Sequence, residues 1–173
     1  MFEKPKPVLS HIPGLTRLLC IVPYFLPLLE SFDHFAGRIM ADYPQDLVRK
    51  YKLMFRPIVE FYTQNRLVNF VSFLMLYFLL VSSKSPIRVH PFLRYNTLQA
   101  LLTFLVTTIL GVAFRIFPKE IKRSIYGGII SNTFFLTVAY IIVYALIQAL
   151  RGKYADIPII SEAVRIQINS KGI

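Results

Sequence analysis

Long uncharged runs alternate with short basic connectors along this chain, and the runs set its organisation. The clearest lies between Arg94 and Arg115, where no charged residue occurs. As an α-helix at about 1.5 Å per residue, this run spans roughly 30 Å, the thickness of a bilayer's hydrocarbon core. A second run, Ser124 to Leu150, is again uncharged throughout. Together with two less regular stretches they predict membrane-spanning helices at about 15–32, 66–82, 93–114 and 128–150. Neither long run is uniformly apolar. Asn96, Gln99, Thr103 and Thr107 recur at intervals of three and four, so they share one face of the third helix. Thr133, Thr137, Tyr140, Tyr144 and Gln148 do the same on the fourth. A polar stripe on a spanning helix calls for a protein partner or a wet cavity on that side. The plain reading is contact between helices; the sharper one is the wall of a path. Spacing leaves both open.

The other two spans are less regular. In the first, Pro23 and Pro27 each remove a helix hydrogen bond and predict bends, which lipid tolerates only where neighbours satisfy the freed carbonyls. Its end, Glu30-Ser31-Phe32-Asp33-His34-Phe35, mixes acids and aromatics as a headgroup region does, so Glu30 and Asp33 are expected to be rim charges of little energetic weight. Residues 36–56 carry Leu47, Val48, Tyr51, Met54 and Phe55 at helical spacing, with Arg49, Lys50, Lys52 and Arg56 among them. This predicts a short basic amphipathic helix lying on a membrane or a partner. Pro57 suits a helix start leading into the second span, with Asn65, Asn69 and Ser72 on one face. After the fourth span, Ser161 is placed to cap a short amphipathic segment, Glu162 to Ile168.

The predicted fold class is therefore all-α: an integral membrane protein with four transmembrane helices plus short amphipathic interfacial helices. The organisation is an irregular tail over 1–14, a membrane domain over 15–152, and a C-terminal tail over 153–173. No cleavable leader or transit peptide is legible in the opening residues.

Composition supports this class. The chain is 55% hydrophobic and 17% charged, against about 25% charged in a typical soluble domain. Its 20 Lys+Arg and 9 Asp+Glu give +11. These basic residues sit between apolar runs, so they point to membrane lipid headgroups or acidic protein partners and not to nucleic acid. They divide evenly between the two faces, so charge does not orient the protein. Trp is absent, leaving the ten Tyr to supply any interfacial belt.

Little in the chain points to catalysis. No phosphate-binding loop, dinucleotide fingerprint, zinc-protease motif or nucleophile elbow occurs. Cys20 is the single cysteine, and His11, His34 and His90 are far apart without ligand spacing, so no cofactor or metal is expected. The acids fall in tails, connectors and helix ends, which argues against a proton-driven carrier.

Three segments carry a family resemblance: RLLCIVPYFLPLLESFDHF near the start, VHPFLRYNTLQALL at the third span, and LRGKYADIPIISEAVRIQI at the end. The chain resembles the small four-helix subunit of the protein translocon at the chloroplast inner envelope (the Tic complex), a family with plastid-encoded and cyanobacterial members. The most specific parts are Arg94, Asn96, Gln99 and Ala100, then Gly152, Lys153 and Tyr154 with Pro158. The resemblance implies a multi-pass protein of the plastid inner envelope, or of a cyanobacterial membrane. It implies passage of preproteins, association with other translocon subunits, both termini facing the stroma, and no catalytic residues. Four helices enclose little space, so a conducting path would need a homo-oligomer or other subunits. The competing readings are a small-solute channel or carrier, and a membrane scaffold without a conducting path.

Overall fold

Apolar periodicity becomes helix throughout the computed structural model, which describes residues 12–36, 43–82, 85–86 and 89–170. The tail expected over 1–14, with His11, lies outside the described residues up to position 11. In chain order the helices are α1 (Gly14–Leu19), α2 (Phe25–Ser31), α3 (Gln45–Met54), α4 (Arg56–Gln64), α5 (Arg66–Leu76), α6 (Pro91–Ile116), α7 (Lys119–Arg123), α8 (Ile125–Leu150) and α9 (Ile160–Ser170). No strand occurs among the described residues. Three stretches are long and apolar enough to cross a membrane: Gly14–Ala36, α6 and α8. Arg56–Gln64 and Arg66–Val81, bent by 93°, make a fourth when taken as one broken span. The chain is thus an all-α membrane protein with three to four spans.

The first span shows what its prolines do. A 3-10 turn, Val22–Tyr24, separates α1 from α2, and a wide π turn, Phe32–Ala36, closes the span. Pro23 and Pro27 are both buried, as expected where protein and not lipid must receive the freed carbonyls. α2 makes the most extensive packing contact of the fold, against α6.

The second span is helical over Arg66–Val81, but the helix expected to lead into it from Pro57 does not run through. Asn65 leaves the helical region at φ −112°, ψ 64°, and α4 turns away at that point. Side-chain amides supply donors at the break: Asn69 Nδ2 donates to Tyr62 O at 3.0 Å, and Asn65 Nδ2 donates at 2.8 Å to Phe61 O, which also accepts from Asn65 N. Arg66–Val81 alone is about 24 Å long, short of a full bilayer core of about 30 Å. Taken with the end of α4, it runs along the bundle. Tyr62 sits beside Glu30 and Thr108, Phe73 packs against Phe104, and Leu80 reaches the cluster of Cys20, Phe92 and Ala149. That last cluster marks one end of the bundle. Phe35 against Phe114 and Phe134 marks the other. The chain therefore runs up and down, with the starts of the first and third spans at one end.

The third span begins where its sequence prescribes. His90 is extended and its Nδ1 accepts from Phe92 N at 3.1 Å, with Pro91 in the first turn. It lies at the centre, touched by the first span, the broken pair, α8 and α9. The fourth span starts at Ile125, earlier than the expected 128, because the chain turns helical directly after the extended Ser124.

The C-terminal tail is not a peripheral appendage. Ala155, Ile157, Ile160 and Val164 join the main core with Tyr24, Leu98 and Leu101. Helix α9 begins at Ile160, so Ser161 lies inside its first turn and not at a cap before Glu162.

Candidate functional site

Gln99, at the centre of the third-span stripe, is the polar hub of the fold. Its side-chain oxygen accepts from Tyr24 OH at 3.1 Å. Its amide nitrogen donates to Ser161 Oγ at 2.9 Å and to Ala155 O at 3.3 Å. Ala155 O also accepts from Tyr95 OH at 3.2 Å, and from Ser161 Oγ, which in turn accepts from Ile157 N at 2.7 Å. One glutamine thus ties the first span, the third span and the returning tail. The donors of the other three stripe residues are taken up within the helix, while Asn96 Oδ1 is buried without a partner among the described residues. Asn96 Nδ2 donates to Phe92 O, Thr103 Oγ1 to Gln99 O, and Thr107 Oγ1 to Thr103 O, each at 2.8–2.9 Å. All four stripe residues are buried. Within one chain this stripe is a contact surface, sealed by Tyr24 and Ser161.

The tail reaches Gln99 because α8 ends in a tight reversal. Lys153 N bonds to Gln148 O and Gly152 N to Ala149 O, both at 2.9 Å, with Gly152 in the left-handed region at φ 70°. This is the Schellman arrangement, in which a side chain at the left-handed position is strained. A Cβ there would also press on the Arg17 guanidinium. Tyr154 then packs edge-on against Phe92 and Tyr95, with centroids at 5.1 and 4.8 Å. Partial burial, followed by neighbouring Tyr95 and Cys20, holds its phenol above the ordinary tyrosine range. Of the remaining family-pattern residues, Ala100 is buried in the core and Arg94 is half-buried, with Nε unpartnered among the described residues. Lys153 and Pro158 are exposed.

The fourth-span stripe has the opposite fate. Thr133, Thr137 and Tyr140 are exposed on the outside of the bundle, and Tyr144 and Gln148 are half-buried. Tyr140 is 70% exposed and stacks on Tyr144 with centroids 6.4 Å apart. The faces that α8 turns inward carry Ser131, Val138, Ile142, Ala145 and Ala149 instead. The two stripes therefore do not meet in one chain.

Sequence reasoning missed a second polar centre. Glu30, expected at the rim, is buried. Its Oε2 accepts from Tyr62 OH at 2.6 Å, and its Oε1 from His34 Nε2 at 2.9 Å and Thr108 Oγ1 at 3.0 Å. Asp33 accepts from Thr63 Oγ1 at 2.8 Å and from Arg115 Nη2 at 3.3 Å. The His34 ring lies where a Cβ on Gly111 would stand, so only glycine leaves it room. The available signal was the spacing Glu30–His34, one helical turn, beside two prolines that mark a span packed against protein. No group of three or more metal-binding side chains occurs among the described residues.

These features can be set beside known proteins. A family model described as "Chloroplast import apparatus Tic20-like" matches residues 3–164. The chain is 44% identical over 162 residues to a "Tic20 family protein Ycf60" of Gracilaria tenuistipitata var. liui, covering 94% of this chain and 79% of that protein. The chain belongs to the Tic20-like family. A Porphyra purpurea Tic20 family protein Ycf60 is 42% identical over 153 residues, covering 88% and 75%. A Synechocystis Tic20 family protein is 27% identical over 161 residues, covering 92% and 96%. The red-algal and cyanobacterial relatives, with the apolar helices, make this Tic20-like chain a plastid or cyanobacterial membrane protein.

Proposed function

We propose that this Tic20-like protein is a membrane subunit of the protein-import translocon of the plastid inner envelope, and that the outer face of α8 is the wall it lends to the preprotein path. In a cyanobacterium the same face would serve the corresponding membrane machinery. One observation carries the placement of the wall. Thr133, Thr137, Tyr140, Tyr144 and Gln148 make no side-chain hydrogen bond among the described residues, yet they line one side of a membrane-spanning helix. In hydrocarbon each unsatisfied polar group costs several kcal/mol, so these groups call for a hydrogen-bonding neighbour outside the chain. An extended polypeptide in transit needs the same service for its backbone, and uncharged hydroxyls and amides exchange partners without trapping it. The buried third-span stripe argues against a path inside a single chain. A second copy or another translocon subunit would close the route opposite α8.

The test uses the full chain with Cys20 replaced by Ser and single cysteines at Thr133, Thr137, Tyr144, Thr103 or Thr107, assembled in envelope membranes with an arrested preprotein. The α8 positions should crosslink to the preprotein, while the two α6 positions should stay silent. Crosslinks at Thr103 and Thr107 and none on α8 would overturn the placement. A small-solute carrier would instead show saturable uptake indifferent to preproteins. A scaffold would leave all five positions silent.

A further inference from the structure

The buried Glu30 and the half-buried Asp33 of the first span do more than join helices. Every donor on Glu30 and Asp33 comes from one of three places: His34 on the same span, Tyr62 and Thr63 on α4, or Thr108 and Arg115 on α6. Each carboxylate therefore bridges α4 to the third span. Otherwise α4 is lightly held. Val59 and Tyr62 are its only buried side chains, while Ile58 and Phe61 face outward at 53% and 60% exposure. On the neighbouring segment Phe32 stacks on Tyr51 and Phe55. Toward α5 the link is the single non-helical residue Asn65, with the 93° bend.

At Glu30, the buried one of the two acids, charge is an expensive way to make a static joint. Well-packed apolar residues of similar size commonly stabilise such a site as well or better, because burying an ion costs several kcal/mol before any pairing. Two of the donors are also divided: Thr108 Oγ1 lies 3.0 Å from Phe104 O, and Thr63 Oγ1 lies 2.8 Å from Val59 O. Each threonine has an alternative acceptor within its own helix, so it can leave the carboxylate without being stranded. The His34 side chain is 4% exposed, with Nδ1 lacking a partner among the described residues. The joint is thus polar, exchangeable and incompletely satisfied, and it lies beside a ready hinge.

We propose that Glu30 and Asp33 form a two-carboxylate latch that docks α4 across the first and third spans, and that its release lets α4 swing on Asn65 to open the bundle between the broken pair and α6. The movement belongs to this chain alone and does not depend on what, if anything, crosses beside α8.

The latch is tested on the full-length protein in liposomes, with Cys20 replaced by Ser and a cysteine at Val59, which the docked helix buries. A second variant carries its cysteine at Leu101, in the central core. Labelling by a water-soluble maleimide is followed for each, alone and with Glu30→Gln or Glu30→Gln/Asp33→Asn. The proposal expects the Val59 site to label about tenfold faster or more in the doubly neutralised protein, with Tyr62→Phe giving a smaller rise and Leu101 unchanged. Unchanged labelling at Val59 overturns the latch. A parallel rise at Leu101 also overturns it, since it would show general loosening in place of a hinged release.

Discussion

The third and fourth spans carry polar stripes of nearly the same length and spacing, and the fold treats them oppositely. Around Gln99 every stripe residue is enclosed, its donors answered by Ser161, Ala155 or the helix's own carbonyls and the Gln99 oxygen by Tyr24, with Asn96 Oδ1 alone among the stripe's polar atoms left without a partner among the described residues. Along Thr133 to Tyr140 the stripe looks outward and at Tyr144 and Gln148 it is half-buried, with no side-chain hydrogen bond of its own among the described residues. The difference comes from position. α6 is surrounded by the first span, the broken pair, α8 and the returning tail, whereas α8 touches the bundle along one narrow side. A periodic stripe fixes which residues share a face. It does not say whether that face looks to the chain's own core or to a neighbour.

The sharpest way to break this contrast is at Gln99. Replacing it with Ala strands the Tyr24 hydroxyl, removes a donor from Ser161 and Ala155 O, and leaves a void, so it should cost about 3 kcal/mol of stability. A clear fall in the melting temperature of purified protein in detergent would show it; an unchanged value would mean that the stripe is not the hub. Next in size is Gly152→Ala. Straining the left-handed turn that aims the tail at Gln99 should cost about 1 kcal/mol, and the cost should shrink in a Gln99→Ala background because the two act on one contact. Smallest is Thr137→Val. For the isolated chain the melting temperature should stay nearly constant, within about 0.5 kcal/mol, while retention of partner chains in gently solubilised membranes declines. Equal destabilisation of the isolated chain by Thr137→Val and Gln99→Ala would erase the distinction between the two stripes.

The two carboxylates of the first span teach the same lesson from the other side. Glu30 and Asp33 follow an apolar run and stand among aromatics, which is how rim residues look in one dimension. Burial of Glu30 arises from Tyr62 and Thr108, at sequence separations of 32 and 78, and no local pattern reports such partners. The break between Pro57 and the second span escapes the sequence for a related reason. Asn65 and Asn69 read as one polar face of a helix, yet their amides cap the carbonyls of a broken one. In the tail the sequence shows a short amphipathic segment after Ser161, but nothing local reports that Ala155, Ile157 and Val164 lie in the core.

What the sequence determined alone is the solvent and the material. Uncharged runs long enough to cross hydrocarbon and separated by basic connectors made the chain an all-α membrane protein, and the segments around Gln99 and Gly152 carried the family likeness. Those properties follow from backbone hydrogen bonding and side-chain transfer energies, which act locally along each helix. Only the tertiary structure decided which polar residues are spent within the chain and which are left to face a neighbour. That choice depends on which helix occupies the centre, and packing of residues distant in sequence sets it.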